Sequence, residues 1–424
     1  MKIAIVTAGG AGMFCGSCMH DNTWAKGLLA AGHDVTLLPT YTPIRVDEDD
    51  LSSKRIFLGG INIYMESKSR MWHRLPRAFT RWLDNPRILK LASKMSISND
   101  AKELGELTLA SLQGSDGPQK REVEELVDYL CNELQPKIVC FSNILQTGVV
   151  KTLRKRFAGK IYCLLQGDDI FLKDLSEPYQ TQAIELISAM RDDFDGFITH
   201  SDYYRGFMSE LLSLPYDKFH RLPLGIDLSG HDGKPGIKNQ KPFTIGYFAR
   251  ICPEKGFHLS LEAFRKFHTE YPESRLLIGG YLGQKDKEFF NQQMESIKPL
   301  GNAVQYIGSP ASQAEKVKVF QQFDLFSVPT TYHEPKGLPV LEAWANGIPV
   351  VQPSHGAFPE MIERTNGGVL VSPDDPQQLA ESWLKLSKDE GHREELSHAG
   401  HRGVREHFSV EAMVDETTRL FAND

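Results

Sequence analysis

The sequence predicts an α/β protein of two domains, each a parallel sheet whose strands alternate with helices. Three observations predict it. At 424 residues the chain is too long for one hydrophobic core, and two domains are expected. Lys2 to Ala8 is an unbroken apolar run of the kind that forms a strand covered on both faces, and it enters a glycine-rich turn and then a helix. The same rhythm restarts at Phe243, after Leu228 to Pro242, where Gly230, Gly233, Pro235 and Gly236 stand among polar residues as in a linker.

Composition narrows the function classes. A hydrophobic content of 41% and a charged content of 24% belong to a soluble globular protein. The formal charge of −7 gives no global attraction to nucleic acid. Six cysteines are scattered, and Cys131, Cys140 and Cys163 fall in apolar contexts. That usage suits buried thiols in a reducing cytoplasm. No apolar stretch approaches the roughly 20 residues of a spanning helix. The short run at the N-terminus reads as a first strand rather than a signal peptide.

In chain order, the first strand runs into Gly9-Gly10-Ala11-Gly12-Met13-Phe14-Cys15-Gly16 and a helix that ends near Gly32. A second strand, Val35 to Leu38, completes a βαβ opening. Glycines at such a turn let a pyrophosphate approach the backbone. A nicotinamide enzyme would want an acid after the second strand for its ribose; the chain gives Pro39-Thr-Tyr-Thr-Pro43 instead. Cys15-x-x-Cys18 lacks a second pair or a histidine partner, so zinc is not expected there. It reads as small side chains packed in a tight loop, although a thiol at a helix start can also be redox-sensitive.

Residues 68–94 carry Lys68, Arg70, Arg74, Arg77, Arg81, Arg87, Lys90 and Lys94 against one acid, Asp84. Trp72, Leu75, Phe79 and Trp82 form an apolar stripe at helical spacing, interrupted by Pro76. Two readings stand. The segment lies on an anionic membrane surface, or it is an insertion whose stripe packs on the first domain and whose arginines face water or an anionic acceptor. The second is favoured, because one basic helix is a weak anchor.

After a turn at Gln113 to Pro118, helix 119–134 leads to strand Lys137 to Phe141, and a short helix to strand Ile161 to Leu165. That strand ends in Gln166-Gly167-Asp168-Asp169, a position where α/β sheets gather ligands. Asp193-Phe-Asp195 has the form of a metal-binding D-x-D but precedes a strand, and reads as solvated surface.

In the second half, strand Phe243 to Phe248 delivers Arg250 and, after Ile-Cys-Pro-Glu, Lys255 and Gly256. Two cations at a strand mouth can neutralise a diphosphate, one as a fork and one as a point charge. Gly308 ends a later strand, where its backbone is expected to reach a nucleotide base. The most informative stretch is Tyr332-His333-Glu334-Pro335-Lys336-Gly337-Leu338-Pro339-Val340-Leu341-Glu342-Ala343. Pro335 and Pro339 cannot lie deep in a helix, so the helix begins near Leu338. Its unpaired N–H groups and positive dipole end suit a phosphate. Glu334 just before that end and Glu342 a turn inside it would accept hydrogen bonds from sugar hydroxyls. A nucleotide diphosphate-sugar satisfies both features.

Glu334-x7-Glu342 in the setting E-P-K-G-L-P-V-L-E-A closely resembles the donor motif of the retaining glycosyltransferases of family 4. Arg250 to Gly256 resembles that family's G-R-x-x-x-x-K-G, with Ala249 where glycine is usual. Pro223-Leu-Gly-Ile-Asp227 resembles its P-N-G-I-D step, with Leu224 in place of asparagine. The resemblance implies the glycosyltransferase B architecture, two Rossmann-like domains facing across a cleft. It divides the chain into an acceptor domain over 1–227 with a basic insertion at about 66–115, a linker over 228–242, a donor domain over 243–407, and a helix over 408–424 that returns to the first domain.

It also implies roles. Arg250, Lys255 and the backbone of Gly337, Leu338 and Val340 hold the diphosphate; Glu342 holds the ribose and Glu334 the transferred sugar. Gly12 and Gly16 lie against donor phosphates and acceptor. Gln166 stands where the family commonly has histidine, so it can hydrogen-bond a sugar but not titrate. The implied reaction is metal-independent transfer of a hexose, with retention, to an acceptor saccharide or lipid-linked saccharide, in the cytoplasm or at the inner face of the membrane. A nucleotide-sugar-binding protein without transfer activity is the alternative.

Overall fold

The structure, a computed structural model, describes residues 1–9, 16–46, 49–59, 101–237 and 241–423. Gly12, Cys15 and the basic stretch 68–94 lie outside the described residues. The chain forms two compact units: Met1–Leu222 together with the chain from Met413 onward, and Pro223–Ala412.

The first unit holds a parallel sheet of six strands: β1 (Lys2–Ala8), β2 (Asp34–Thr40), β3 (Ile138–Phe141), β4 (Lys160–Leu164), β5 (Gly196–Thr199) and β6 (Phe219–Arg221). They are ordered β2-β1-β3-β4-β5-β6. The apolar run at the N-terminus forms β1 because both its faces are covered: Ile3, Ala4, Ile5 and Val6 are fully buried. Helix Gly16–Ala30 carries the chain from β1 to β2, and Gly32, at φ +84°, supplies the left-handed step after it. The expected helix over 119–134 begins as an α-helix, Lys120–Asp128, and continues as a π-helix over Tyr129–Leu134.

Asp195 is not the solvated acid that the D-x-D spacing suggests. Its carboxylate accepts from Arg154 Nη2 at 2.5 Å and from the Ile161 N–H at 2.8 Å, fastening the start of β4 to the turn before β5. The reason is tertiary: the pairing of β4 with β5 sets Asp195 beside the start of β4, and Arg154 reaches it from the end of helix Val150–Arg154.

The second unit repeats the pattern with β7 (Phe243–Phe248), β8 (Ser274–Gly279), β9 (Val304–Tyr306), β10 (Leu325–Phe326), β11 (Val350–Pro353) and β12 (Gly368–Val371). Their order is β12-β11-β10-β7-β8-β9, the 3-2-1-4-5-6 arrangement of a Rossmann sheet counted from β7. Both sheets pair in parallel throughout the described residues.

The last helix, Val410–Asn423, begins in the second unit, where Ser409 and Ile226 form a β-bridge. Its later turns pack within the first unit. Buried Trp24 donates from Nε1 to Thr417 Oγ1 at 3.0 Å, and Phe421 lies against the rings of Trp24 and Tyr162. Thr417 is fully buried and donates in turn to the Met413 carbonyl at 2.7 Å. Among the described residues, no helix is long and apolar enough to cross a membrane.

Thr417→Val keeps the volume but leaves the Trp24 N–H without its acceptor in a closed environment. We expect a loss of about 1–3 kcal/mol in denaturant unfolding. Stability equal to wild type would show that this hydrogen bond does not hold the terminal helix.

Candidate active site

In the second sheet the chain leaves β7 toward β8 on one side and returns through β10 on the other. The loops after these two neighbours therefore stand at the switch point of the sheet, the place where α/β folds gather ligands. The loop after β7 carries Arg250 and Lys255; the loop after β10 carries Tyr332, Glu334 and Gly337. The register Leu325↔Ile245 and Phe326↔Gly246 holds the two loop origins side by side.

Backbone contact then fixes the loops. Gly256 has φ +65°, and a Cβ on it would stand 1.6 Å from the Pro329 carbonyl oxygen. The Thr331 N–H donates to the Glu254 carbonyl at 3.0 Å. Beneath them, the buried Tyr247 hydroxyl donates to the Lys255 carbonyl at 3.2 Å. Lys255 is thereby aimed across the gap.

Its ammonium donates to Glu334 Oε2 at 2.6 Å and to Tyr332 Oη at 2.5 Å, and Tyr332 donates to the same carboxylate oxygen at 2.6 Å. Glu334 Oε1 faces the N–H groups of Lys336 and Gly337 at 3.4 and 3.3 Å. Glu334 is 6% exposed, and burial pushes its carboxyl up. The Lys255 charge and the hydrogen bonds from Lys255, Tyr332 and Gly337 outweigh that and hold it down at about 2. Burial and the neighbouring carboxylate push the Tyr332 phenol well up. At neutral pH Glu334 is therefore a carboxylate and Tyr332 a phenol, built to hold charge and accept hydrogen bonds rather than to shuttle protons.

The helix expected near Leu338 is Leu338–Ala345, capped by Gly337 at φ +76°. Leu338 opens it. Val340, expected to give its N–H to a phosphate, donates to the Gly337 carbonyl at 2.9 Å instead. The tight first turn closes on itself and the Gly337 N–H, also expected to meet a phosphate, faces Glu334 Oε1 instead, so of the three expected backbone donors Leu338 is left to meet an anion. At the far end, Trp344 Nε1 donates to the Gly367 carbonyl, Asn346 Nδ2 to the Glu342 carbonyl, and Arg405 approaches the Ala345 carbonyl. These contacts leave the helix little freedom to turn.

Glu342 makes a contact that the sequence did not suggest. Its Oε1 lies 2.7 Å from Lys316 Nζ, on helix Gln313–Phe320, and both side chains are nearly enclosed. Arg250, 44% exposed at its side chain, turns Nε to Cys252 Sγ at 3.3 Å and Nη2 toward Glu254 at 3.9 Å. Gly308 lies just beyond β9 at φ +76°, with open space where a Cβ would be. His355 was not singled out by the sequence either. It is buried, it meets the Thr330 carbonyl through Nε2 at 2.8 Å, and its ring lies 4.8 Å from that of His333. Burial holds it below the usual histidine range.

The remaining expected residues lie in the first unit. Gly16 opens helix Gly16–Ala30. Gln166, 6% exposed, sits at the C-terminal end of β4, where its amide Nε2 donates to Asp21 Oδ1 at 2.8 Å and to the Ser142 carbonyl at 3.3 Å. Asp21 is fully enclosed and also accepts from Thr7 Oγ1 at 2.5 Å. No motif marked Asp21; it lies on the inner face of a helix of low amphipathic contrast. Asp168 takes the N–H groups of Gln166 and Ile144, and burial outweighs them, raising its carboxyl to about 6.

This is the glycosyltransferase B fold. Over the full length of both chains it matches the structure of HepE from Anabaena in complex with UDP, with a TM-score of 0.69 at 15% identity. Residues 232–402, the part that carries the Lys255–Glu334 cluster, match the family glycosyl transferases group 1. The glycosyltransferase WcaL of Escherichia coli strain K12 is 26% identical over 258 residues, 60% of this chain and 60% of that protein. Glycosyltransferase MJ1607 of Methanocaldococcus jannaschii is 21% identical over 99% of this chain and 98% of its own. The match to WcaL thus spans about three fifths of that relative's length.

Two expectations follow. Glu334, held near 2 instead of 4.5, contributes stability that is fully present above about pH 4.5 and lost as pH falls through about 2. This linkage is on the order of 3 kcal/mol. Between pH 5 and 2 the unfolding free energy of wild type should fall more steeply than that of Glu334→Gln; parallel curves would show that the carboxylate is not held as described. Gly356, at φ +62°, packs on the same residue, and a Cβ there would lie 2.5 Å from the Glu334 carbonyl oxygen. Gly356→Ala should therefore displace Glu334 and cost about 1–3 kcal/mol in thermal unfolding.

Proposed function

We propose that this protein is a glycosyltransferase that moves a hexose from a nucleotide diphosphate-sugar to an acceptor saccharide or lipid-linked saccharide, with retention at the anomeric carbon. One observation carries the reading: a cation and a carboxylate, Lys255 and Glu334, are locked together beside the N-terminus of helix Leu338–Ala345, at the switch point of the family-matched domain. Such an arrangement offers positive charge to a phosphate and an acceptor to a sugar hydroxyl within one small volume.

In this reading Arg250, Lys255 and the Leu338 N–H take the diphosphate. The Lys255 ammonium has three hydrogens, and Tyr332 and Glu334 occupy two of them. Glu342 takes the ribose, Gly308 lies toward the base, and Glu334 accepts from a hydroxyl of the sugar. Gly12 and Gly16 serve the donor phosphates and the acceptor, and Gln166 a sugar hydroxyl. As the bond from the anomeric carbon to the leaving phosphate breaks, the acceptor oxygen attacks from the same face, and its proton passes to a phosphate oxygen. Two cations and a helix dipole can neutralise the leaving group, so the reading invokes no divalent metal.

The reaction is placed in the cytoplasm. In support, none of Cys18, Cys131, Cys140, Cys163 and Cys252 is in a disulfide. HepE has been crystallised with UDP and with UDP-glucose, which makes UDP the first probe. A second reading, nucleotide-sugar binding without transfer, draws on Gln166, an amide that cannot titrate.

Calorimetric titration with UDP, GDP and ADP, each with magnesium and with chelator, tests the donor site. One of the three should bind equally well in both media. Lys255→Ala should weaken that binding by about tenfold or more. Glu334→Gln should leave it nearly intact while reducing transfer from the matching nucleotide-sugar by about 100-fold. Binding with no turnover would favour the second reading, and failure of all three to bind would overturn both.

A further inference from the structure

Lys316 is a positively charged side chain that the donor motif does not contain. It lies on helix Gln313–Phe320, is 9% exposed, and places its ammonium 2.7 Å from Glu342 Oε1. An enclosed ammonium is costly unless it is paired, and a pair in such a setting makes strong, directional hydrogen bonds. The surroundings fix the partner. The Glu342 backbone carbonyl is held by Asn346 Nδ2 at 2.9 Å, and Asn346 is held in turn by His231 at 2.9 Å.

The chemistry of the two groups is complementary. A carboxylate only accepts hydrogen bonds and an ammonium only donates them. A hydroxyl does both. A hydroxyl brought to this pair can donate to Glu342 while accepting from Lys316, satisfying both of its capacities at once. A carboxylate alone offers only the first of these contacts. The pair therefore reads a hydroxyl more strictly than an acid by itself, because an analogue without that oxygen loses two charge-assisted contacts.

We propose that Lys316 is a specificity-determining residue of the nucleotide site, holding Glu342 in position and adding a donor to the ribose hydroxyl edge. The proposal rests on the donor-site reading above, in which Glu342 faces the ribose. Lys316 thereby makes the site select ribonucleotides over their deoxy forms.

The test compares the affinities of wild type and two variants, Lys316→Met and Lys316→Gln, for the nucleoside diphosphate that binds best among UDP, GDP and ADP. Each is measured against its 2′-deoxy and 3′-deoxy forms. Methionine keeps the buried stem without the charge, and glutamine serves if methionine does not fold. In wild type at least one deoxy form should bind about tenfold more weakly or worse. Both variants should lose most of that ratio, chiefly by weaker binding of the ribonucleotide. A merely structural role would lower the melting temperature and leave the ratio unchanged, which would overturn the proposal. Wild type that binds the ribonucleotide without discriminating would overturn it as well. Wild type that binds none of the three nucleotides would overturn the donor-site reading instead.

Discussion

A carboxylate and an ammonium locked together at 2.6 Å, with a phenol closing the triangle, form the constraint that the second unit is built around. A buried Glu334 would be costly alone. It is tolerable because Lys255 arrives from the loop after β7 just as Glu334 arrives from the loop after β10. That meeting requires two adjacent parallel strands whose crossovers run opposite ways. It also requires loops close enough for backbone to touch backbone, hence Gly256 against Pro329 and Gly356 against Glu334. A side chain at either glycine would separate the partners.

The second unit contains two carboxylates of the same motif, and each has its own cation. Glu334 is held by Lys255 before the helix, and Glu342 by Lys316 within it. Balancing each charge locally lets both acids stay in nearly closed surroundings while the helix N-terminus between them keeps its positive character. Rigidity comes from the opposite end, where Trp344, Asn346 and Arg405 engage carbonyl groups of the helix and its neighbours. Hydrogen-bonding groups that are already in place do not have to be ordered when a ligand binds.

The first unit places polar groups at the same edge of its own sheet. Thr7, Ser142 and Gln166 come from the ends of β1, β3 and β4, and Asp21 joins them from the first helix. Asp21 and the Ser142 carbonyl are both acceptors, so the Gln166 amide must turn its nitrogen toward them. A histidine at this position would have had a choice of proton sites; the glutamine does not.

Much of this was legible in the sequence. The two parallel sheets follow from apolar runs alternating with helical segments. The start of helix Leu338–Ala345 follows from Pro335, Gly337 and Pro339, whose backbone restrictions are local. The grouping of Arg250, Lys255, Glu334 and Glu342 on one domain was likewise readable, because a motif keeps its residues at short and fixed separations. The rest depended on residues far apart in the chain. Lys316 meets Glu342 across 26 positions, and Gln166 meets Asp21 across 145. Asp195 looked like one of a surface pair until Arg154 was found beside it. The Val340 N–H looked available until the first turn closed on Gly337. Sequence by itself determined which strands and helices form and which residues carry charge, since those are properties of local chemistry. Only the tertiary structure decided which charge meets which, because a long-range ion pair has no local pattern and exists only once two strands lie side by side.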